Sequence, residues 1–138
     1  MDLDLLKDAL DNEKNLSIIN KNIQEIKMKK NDILQQLGIT REDLINLNKQ
    51  LKDYIYIDNI NDLNYGSNIR MISLQNISDI KLSKICLLCN IKMLKNGIGI
   101  VLKNFQKKYF TTYFDKCLIF QKLTIQEKII LKALNTIK

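Results

Sequence analysis

The chain predicts an α+β protein in two parts: a long N-terminal coiled-coil helix with a helical hairpin, then a small five-stranded β-barrel or sandwich closed by a C-terminal helix. Three observations carry that expectation. An apolar repeat in steps of three and four runs through Leu5, Ala9, Leu16, Ile19, Ile23, Ile26, Ile33 and Leu37, with Asn12 and Lys30 at the interrupting positions. After about residue 65 the texture changes to short β-branched and aromatic runs separated by turn residues. Near the end, Thr124 and Glu127 stand three apart before an apolar run, the pattern of a helix capping box.

The first helix is expected from about residue 3 to Leu37. Its opening is acidic (Asp2, Asp4, Asp8, Asp11) and its later turns are basic (Lys27, Lys29, Lys30), which complements the helix macrodipole. A seam this narrow lacks the broad apolar face of an ordinary surface helix, so it predicts a partner helix. Leucine at one seam class (Leu16, Leu37) and isoleucine at the other (Ile19, Ile26, Ile33) favour three or four chains over two. Asn12 and Lys30 would then select register at a cost in stability, and Lys30→Ile is expected to stabilise. Gly38 ends the helix, and Thr40, with Asp43 three residues on, caps a second one. That second helix places Leu44, Leu47, Leu51 and Tyr54 on one face and folds back along the first.

Residues 58–67 are rich in turn-formers and read as a linker. The expected organisation is therefore an oligomerisation region at 1–57, a linker at 58–67 and a basic module at 68–138. Strands are expected at Ile69–Leu74, Ile85–Met93, Ile98–Lys103, Tyr109–Phe114 and Cys117–Leu123, with turns at Asn96-Gly97, Asn104–Lys107 and Asp115-Lys116. The closing helix presents Ile130, Ala133, Leu134 and Ile137 to the sheet.

Ile (23), Lys (20) and Asn (16) make up 59 of the 138 residues, and Pro, Trp and His are absent. These residues share AT-rich codons, so composition speaks to source more than to chemistry. The lack of His removes the commonest general base and the commonest metal ligand. Charge divides unevenly: residues 1–57 carry 9 Lys+Arg against 10 Asp+Glu, and residues 58–138 carry 13 against 5. The module is thus suited to phosphate, anionic lipid or an acidic protein surface, or is simply a lysine-coated, well-solvated surface. Three cysteines without His, no signal-like start and no apolar run of membrane-spanning length predict a soluble, intracellular protein with free thiols and no membrane association.

No motif predicts catalysis, and no cofactor is expected. Cys86 and Cys89 have the spacing of half a zinc site, but residues three apart on a strand face opposite ways and no fourth ligand exists, so metal is not expected. Asn96-Gly97-Ile98-Gly99 lacks the following Lys of a phosphate loop and reads as a hairpin turn. The run from Lys103 to Phe114 interleaves bases with aromatics, as single-strand binders do. It offers Lys103, Lys107, Lys108, Tyr109 and Tyr113 as a binding surface, against core packing for whichever alternate set faces inward.

The segments Gly66–Ile72, Gly99–Asn104 and Cys117–Lys122 resemble small Tudor-like barrels encoded by large DNA viruses with AT-rich, mimivirus-like genomes, over roughly residues 66–123. The resemblance implies a non-enzymatic viral protein, a component of the particle or of the replication site. A methyl-lysine cage, which some such barrels carry, would have to draw on Tyr109, Phe110, Tyr113, Phe114 and Phe120. The leading expectation is a structural or adaptor protein that self-associates through the N-terminal seam and presents the module to an unidentified protein partner. The alternative is a multivalent nucleic-acid binder using the basic module.

Overall fold

Asparagine breaks the N-terminal repeat. The computed structural model describes residues 3–19 and 21–137, with the side chains of Ser17 and Ile137 left aside, so the expectations for Asp2 and for the Ile137 side chain lie outside the described residues. Helix α1 (Leu3–Asp11) ends where the Asn12 side chain accepts from Lys14 N at 3.1 Å and opens a 3-10 turn, Glu13–Asn15. A short α2 (Leu16–Ile19) follows. Asn22 then accepts from Glu25 N at 2.8 Å and starts α3 (Ile23–Gln35). An asparagine amide that bonds its own backbone competes with the helical ladder, and at both places it wins.

The long coiled-coil helix is therefore overturned, and most of its apolar repeat packs within the chain. Ala9 and Ile26 are buried against the chain's own sheet, with Ile23 packed beside them and Ile19 half-buried. Ile33 and Leu37 pack on a second cluster, while Leu5 and Leu16 remain 52% and 61% exposed. Asn12 Nδ2 donates to Gln126 Oε1 at 2.7 Å on the C-terminal helix, and Lys30 is buried with its ammonium on two carbonyls. The apolar period reported that a face is buried; it did not report by what.

Six strands form one antiparallel sheet: β1 (Tyr54–Ile57), β2 (Asn68–Ser73), β3 (Cys86–Leu94), β4 (Gly97–Lys103), β5 (Tyr109–Tyr113) and β6 (Cys117–Lys122), in the order β1-β6-β2-β3-β4-β5. The last five lie within a residue or so of their expected places. β1 begins at Tyr54, where the apolar face expected of the second helix ends; that helix, α4 (Arg41–Gln50), stops earlier at Leu51. The Thr40 cap of α4 stands, with Asp43 N donating to Thr40 Oγ1 at 3.2 Å.

β5 and β6 are four places apart in the sheet yet joined by a three-residue 3-10 turn, Phe114–Lys116. Four Cα steps reach about 15 Å, whereas four strand spacings in a flat sheet need about 19 Å. The sheet must curl, and Thr112 Oγ1 comes within 3.3 Å of Cys117 Sγ. It curls without closing, because β5 is paired with β4 alone and β1 with β6 alone. The expected five-stranded barrel is thus replaced by an open six-stranded sheet, and the added strand comes from a segment too short to announce itself.

Side chains alternate across this sheet into two layers. On one face α1, α2, the start of α3 and α5 (Ile125–Ile137) bring Ala9, Ile18, Ile26, Ile130 and Leu131 onto Ile55, Ile57, Ile69, Leu88, Ile100, Leu102 and Ile119. α5 opens with a reciprocal capping box: Thr124 N donates to Glu127 Oε1 at 2.9 Å and Glu127 N to Thr124 Oγ1 at 3.1 Å. On the other face Leu34, Leu51, Leu44, Leu47, Ile80 and Leu82 cover Tyr54, Ile72, Leu118 and Phe120. That second cover extends from β1 across β6 to β2 and contributes no residue over β3, β4 or β5.

Candidate nucleic-acid interface

The uncovered face follows from register. Opposed residues of an antiparallel pair share a face. Leu102 opposite Phe110 and Ile100 opposite Thr112 belong to the core side, where Phe110 and Phe114 pack on the main cluster. Lys103 opposite Tyr109, Val101 opposite Thr111 and Gly99 opposite Tyr113 therefore emerge on the other side. The two tyrosines stand at alternate positions of an edge strand, Tyr109 65% exposed and Tyr113 half-buried.

Each ring carries a cation. Lys103 Nζ lies 5.6 Å from the Tyr109 centroid and Lys116 Nζ 4.7 Å from that of Tyr113. Beneath them Gly99 keeps the face flat: a Cβ there would meet the Leu94 side chain reaching across from β3, and would stand 3.3 Å from Thr111 Cγ2.

Of the five residues singled out from sequence, the strand face brings together Lys103, Tyr109 and Tyr113. Lys107 and Lys108 are exposed in the turn at the end of the hairpin instead. Asn104 shapes that turn by accepting from Gln106 N at 2.9 Å and Lys108 N at 3.0 Å, and Lys107 takes a left-handed φ of 63°. The two lysines thus flank the face.

Sequence reasoning missed the other end of the surface. Phe105, 63% exposed in the same turn, has Lys84 Nζ 4.5 Å above its ring. With Arg70 and Ile85 these residues line a shallow groove of about 290 Å³. Arg70 lies opposite Phe120 in the β2–β6 register, which puts it on the same face as the tyrosines, and its Nε donates to Ser83 O at 2.9 Å. The available signal was charge: between residues 84 and 116 the chain carries Lys84, Lys92, Lys95, Lys103, Lys107, Lys108 and Lys116 against Asp115 alone.

Other candidate chemistry disperses. Cys86 is buried in the main core, where desolvation pushes its thiol pKa up, while Cys89 sits at a bulge between Leu88 and Asn90. Among the described residues no group of three His, Cys, Asp or Glu is placed to hold a metal ion. The aromatics offered for a cage diverge: Tyr109 and Tyr113 face outward, Phe110 and Phe114 pack on the main core, and Phe120 lies 5.7 Å from Tyr56 in the second cluster. No helix among the described residues is long and apolar enough to cross a membrane.

What the open face offers is a row of π-surfaces, ammonium and guanidinium donors beside them, and one carboxylate nearby. That combination suits phosphate and stacked bases. No protein-family model, curated protein or solved structure matches this chain.

Proposed function

We propose that this protein binds single-stranded nucleic acid, without catalysis, on the open face of β3, β4 and β5. The observation that carries the reading is the outward alternation of Tyr109 and Tyr113 with a lysine beside each ring. Bases stack on the rings whatever their identity, and the lysines follow the backbone, so the affinity is sequence-tolerant and salt-dependent. The groove at Arg70, Lys84 and Phe105 extends the track beyond the β4–β5 hairpin. On the resemblance to viral barrels alone, the proposed setting is a viral replication site.

Anisotropy of labelled oligonucleotides tests this. Single strands bind at low salt and weaken as salt rises; Tyr109→Ala costs about 1–3 kcal/mol at any salt. Lys103→Ala flattens the slope of log affinity on log salt by about 0.7 for a lost phosphate contact. Absence of single-strand binding at low salt overturns the reading.

A second reading, an adaptor for a protein partner, is favoured by the groove between the α3–α4 turn and residues 77–82, lined by Leu37, Thr40, Asp43, Leu47 and Leu82 with Ile77 75% exposed at its rim. Ile77→Asp would abolish such binding and leave oligonucleotide affinity unchanged.

A further inference from the structure

We infer that two copies of this chain join through the free edge of β5, antiparallel and centred on Thr111. The inference starts from the unpaired backbone edge of β5 and needs no bound nucleic acid, so it stands or falls separately from the proposed binding.

The phase of the β4–β5 ladder decides which groups face outward. Asn104 N donates to Lys108 O at 2.9 Å, so this pair is of the hydrogen-bonded type. The register continues 103 with 109, 102 with 110, 101 with 111, 100 with 112 and 99 with 113. Hydrogen-bonded and non-hydrogen-bonded pairs alternate in an antiparallel ladder. Phe110 and Thr112 therefore spend their N–H and C=O groups on β4, and Tyr109, Thr111 and Tyr113 direct theirs at the free edge. Nothing in Tyr109-Phe-Thr-Thr-Tyr113 blunts that edge: it holds no Pro, no charge and no bulge. Such a strand is a template for another.

The same five residues complement themselves. An antiparallel copy centred on Thr111 sets Thr111 against Thr111 and Tyr109 against Tyr113, all on one face, with Phe110 against Thr112 on the other. The outward-directed pairs are those that must exchange two hydrogen bonds each, so the ladder closes without adjustment. Aromatic pairs and Thr–Thr pairs are favourable cross-strand neighbours. Sliding the copies by two residues separates Tyr109 from Tyr113. The twofold axis runs perpendicular to the sheet, so both open faces look the same way.

Sedimentation velocity of the intact chain from micromolar to several hundred micromolar tests the pairing. The expected mass rises with concentration from 16.2 kDa toward twice that value. Thr111→Pro removes an outward N–H and leaves the β4 ladder intact, since Pro is accommodated on an edge strand there. It should give a monomer with an unchanged far-ultraviolet spectrum. If that variant misfolds, charge at the twofold axis decides: Thr111→Lys sets like charges opposite each other and raises the dimer dissociation constant about three- to tenfold. An equimolar mixture of Thr111→Lys and Thr111→Glu chains restores it, because opposite charges then face each other across the twofold axis. A monomer at every concentration overturns the inference, as does a dimer indifferent to Thr111→Pro or, where that variant misfolds, to the charge changes.

Discussion

β1 and β5 are the two edges of one sheet, and the chain treats them oppositely. At β1, Leu123 N donates to Asp53 O at 2.8 Å, which by alternation turns the N–H and C=O of Tyr54 away from β6. Both are taken: Tyr54 N donates to Leu51 O at 2.9 Å, and Lys30 Nζ from α3 donates to Tyr54 O at 2.9 Å and to Leu51 O at 2.7 Å. The ammonium also caps the C-terminal end of α4, where a cation opposes the negative end of the helix dipole. Among the described residues β5 has no counterpart to Lys30. The faces differ in the same sense, since β1, β6 and β2 are covered on both sides and β3, β4 and β5 on one. The difference teaches that the Tyr54 end of β1 is held by the chain's own groups, while β5 presents side chains and backbone to whatever binds.

The largest effect that would sharpen this contrast is in β6, which is buried on both faces. Phe120→Ala should cost about 3–5 kcal/mol in urea unfolding, while Tyr109→Ala on the open face should stay within about 0.5 kcal/mol. Comparable losses at the two sites would break the distinction between the halves.

Next comes Lys30→Ile. The apolar repeat alone expects stabilisation, but the structure reverses the sign: the Tyr54 carbonyl at the covered edge loses its donor. A destabilisation of about 2–4 kcal/mol is expected by thermal or urea unfolding. Burial, reinforced by Lys27, already holds the Lys30 pKa below its ordinary value of 10.5, so the site carries a desolvation cost that the two hydrogen bonds offset. A gain in stability would show that the edge does not need its cap.

The smallest effect concerns the face that both halves share with α5. Burial raises the Glu127 pKa above its ordinary 4.5, outweighing the Thr124 hydrogen bonds and the field of Lys21 that lower it. The folded state then binds more protons than the unfolded state between pH 4.5 and the raised value. This proton-linked stabilisation is fully present below 4.5 and is lost as pH rises through the folded pKa. Glu127→Gln keeps the capping geometry and should flatten that segment of the stability curve. An unchanged slope in the variant would mean that Glu127 titrates as an exposed carboxyl.

Features set by hydrogen bonds within a few residues were legible in the chain itself. The Thr40 and Thr124 caps, the turn at Gly38 and the β3–β4 and β4–β5 hairpins all depend on neighbours close in sequence, as does the alternation that sends Tyr109 and Tyr113 one way and Phe110 and Phe114 the other. Asn12 and Asn22 act just as locally, yet among sixteen asparagines nothing in the sequence marks these two as caps within the N-terminal repeat. Tyr54–Ile57 is buried on both faces beside β6, so it lacks the polar alternation that would identify a strand. Lys30 sits where the apolar period demands burial, and only the arrival of the Leu51 and Tyr54 carbonyls makes a buried ammonium tolerable. The openness of the sheet and the groove at Arg70, Lys84 and Phe105 likewise exist only once distant segments meet. A residue's own neighbours determine its local conformation and which way it faces; the partner that covers that face, or leaves it bare, is chosen by contacts across the whole chain.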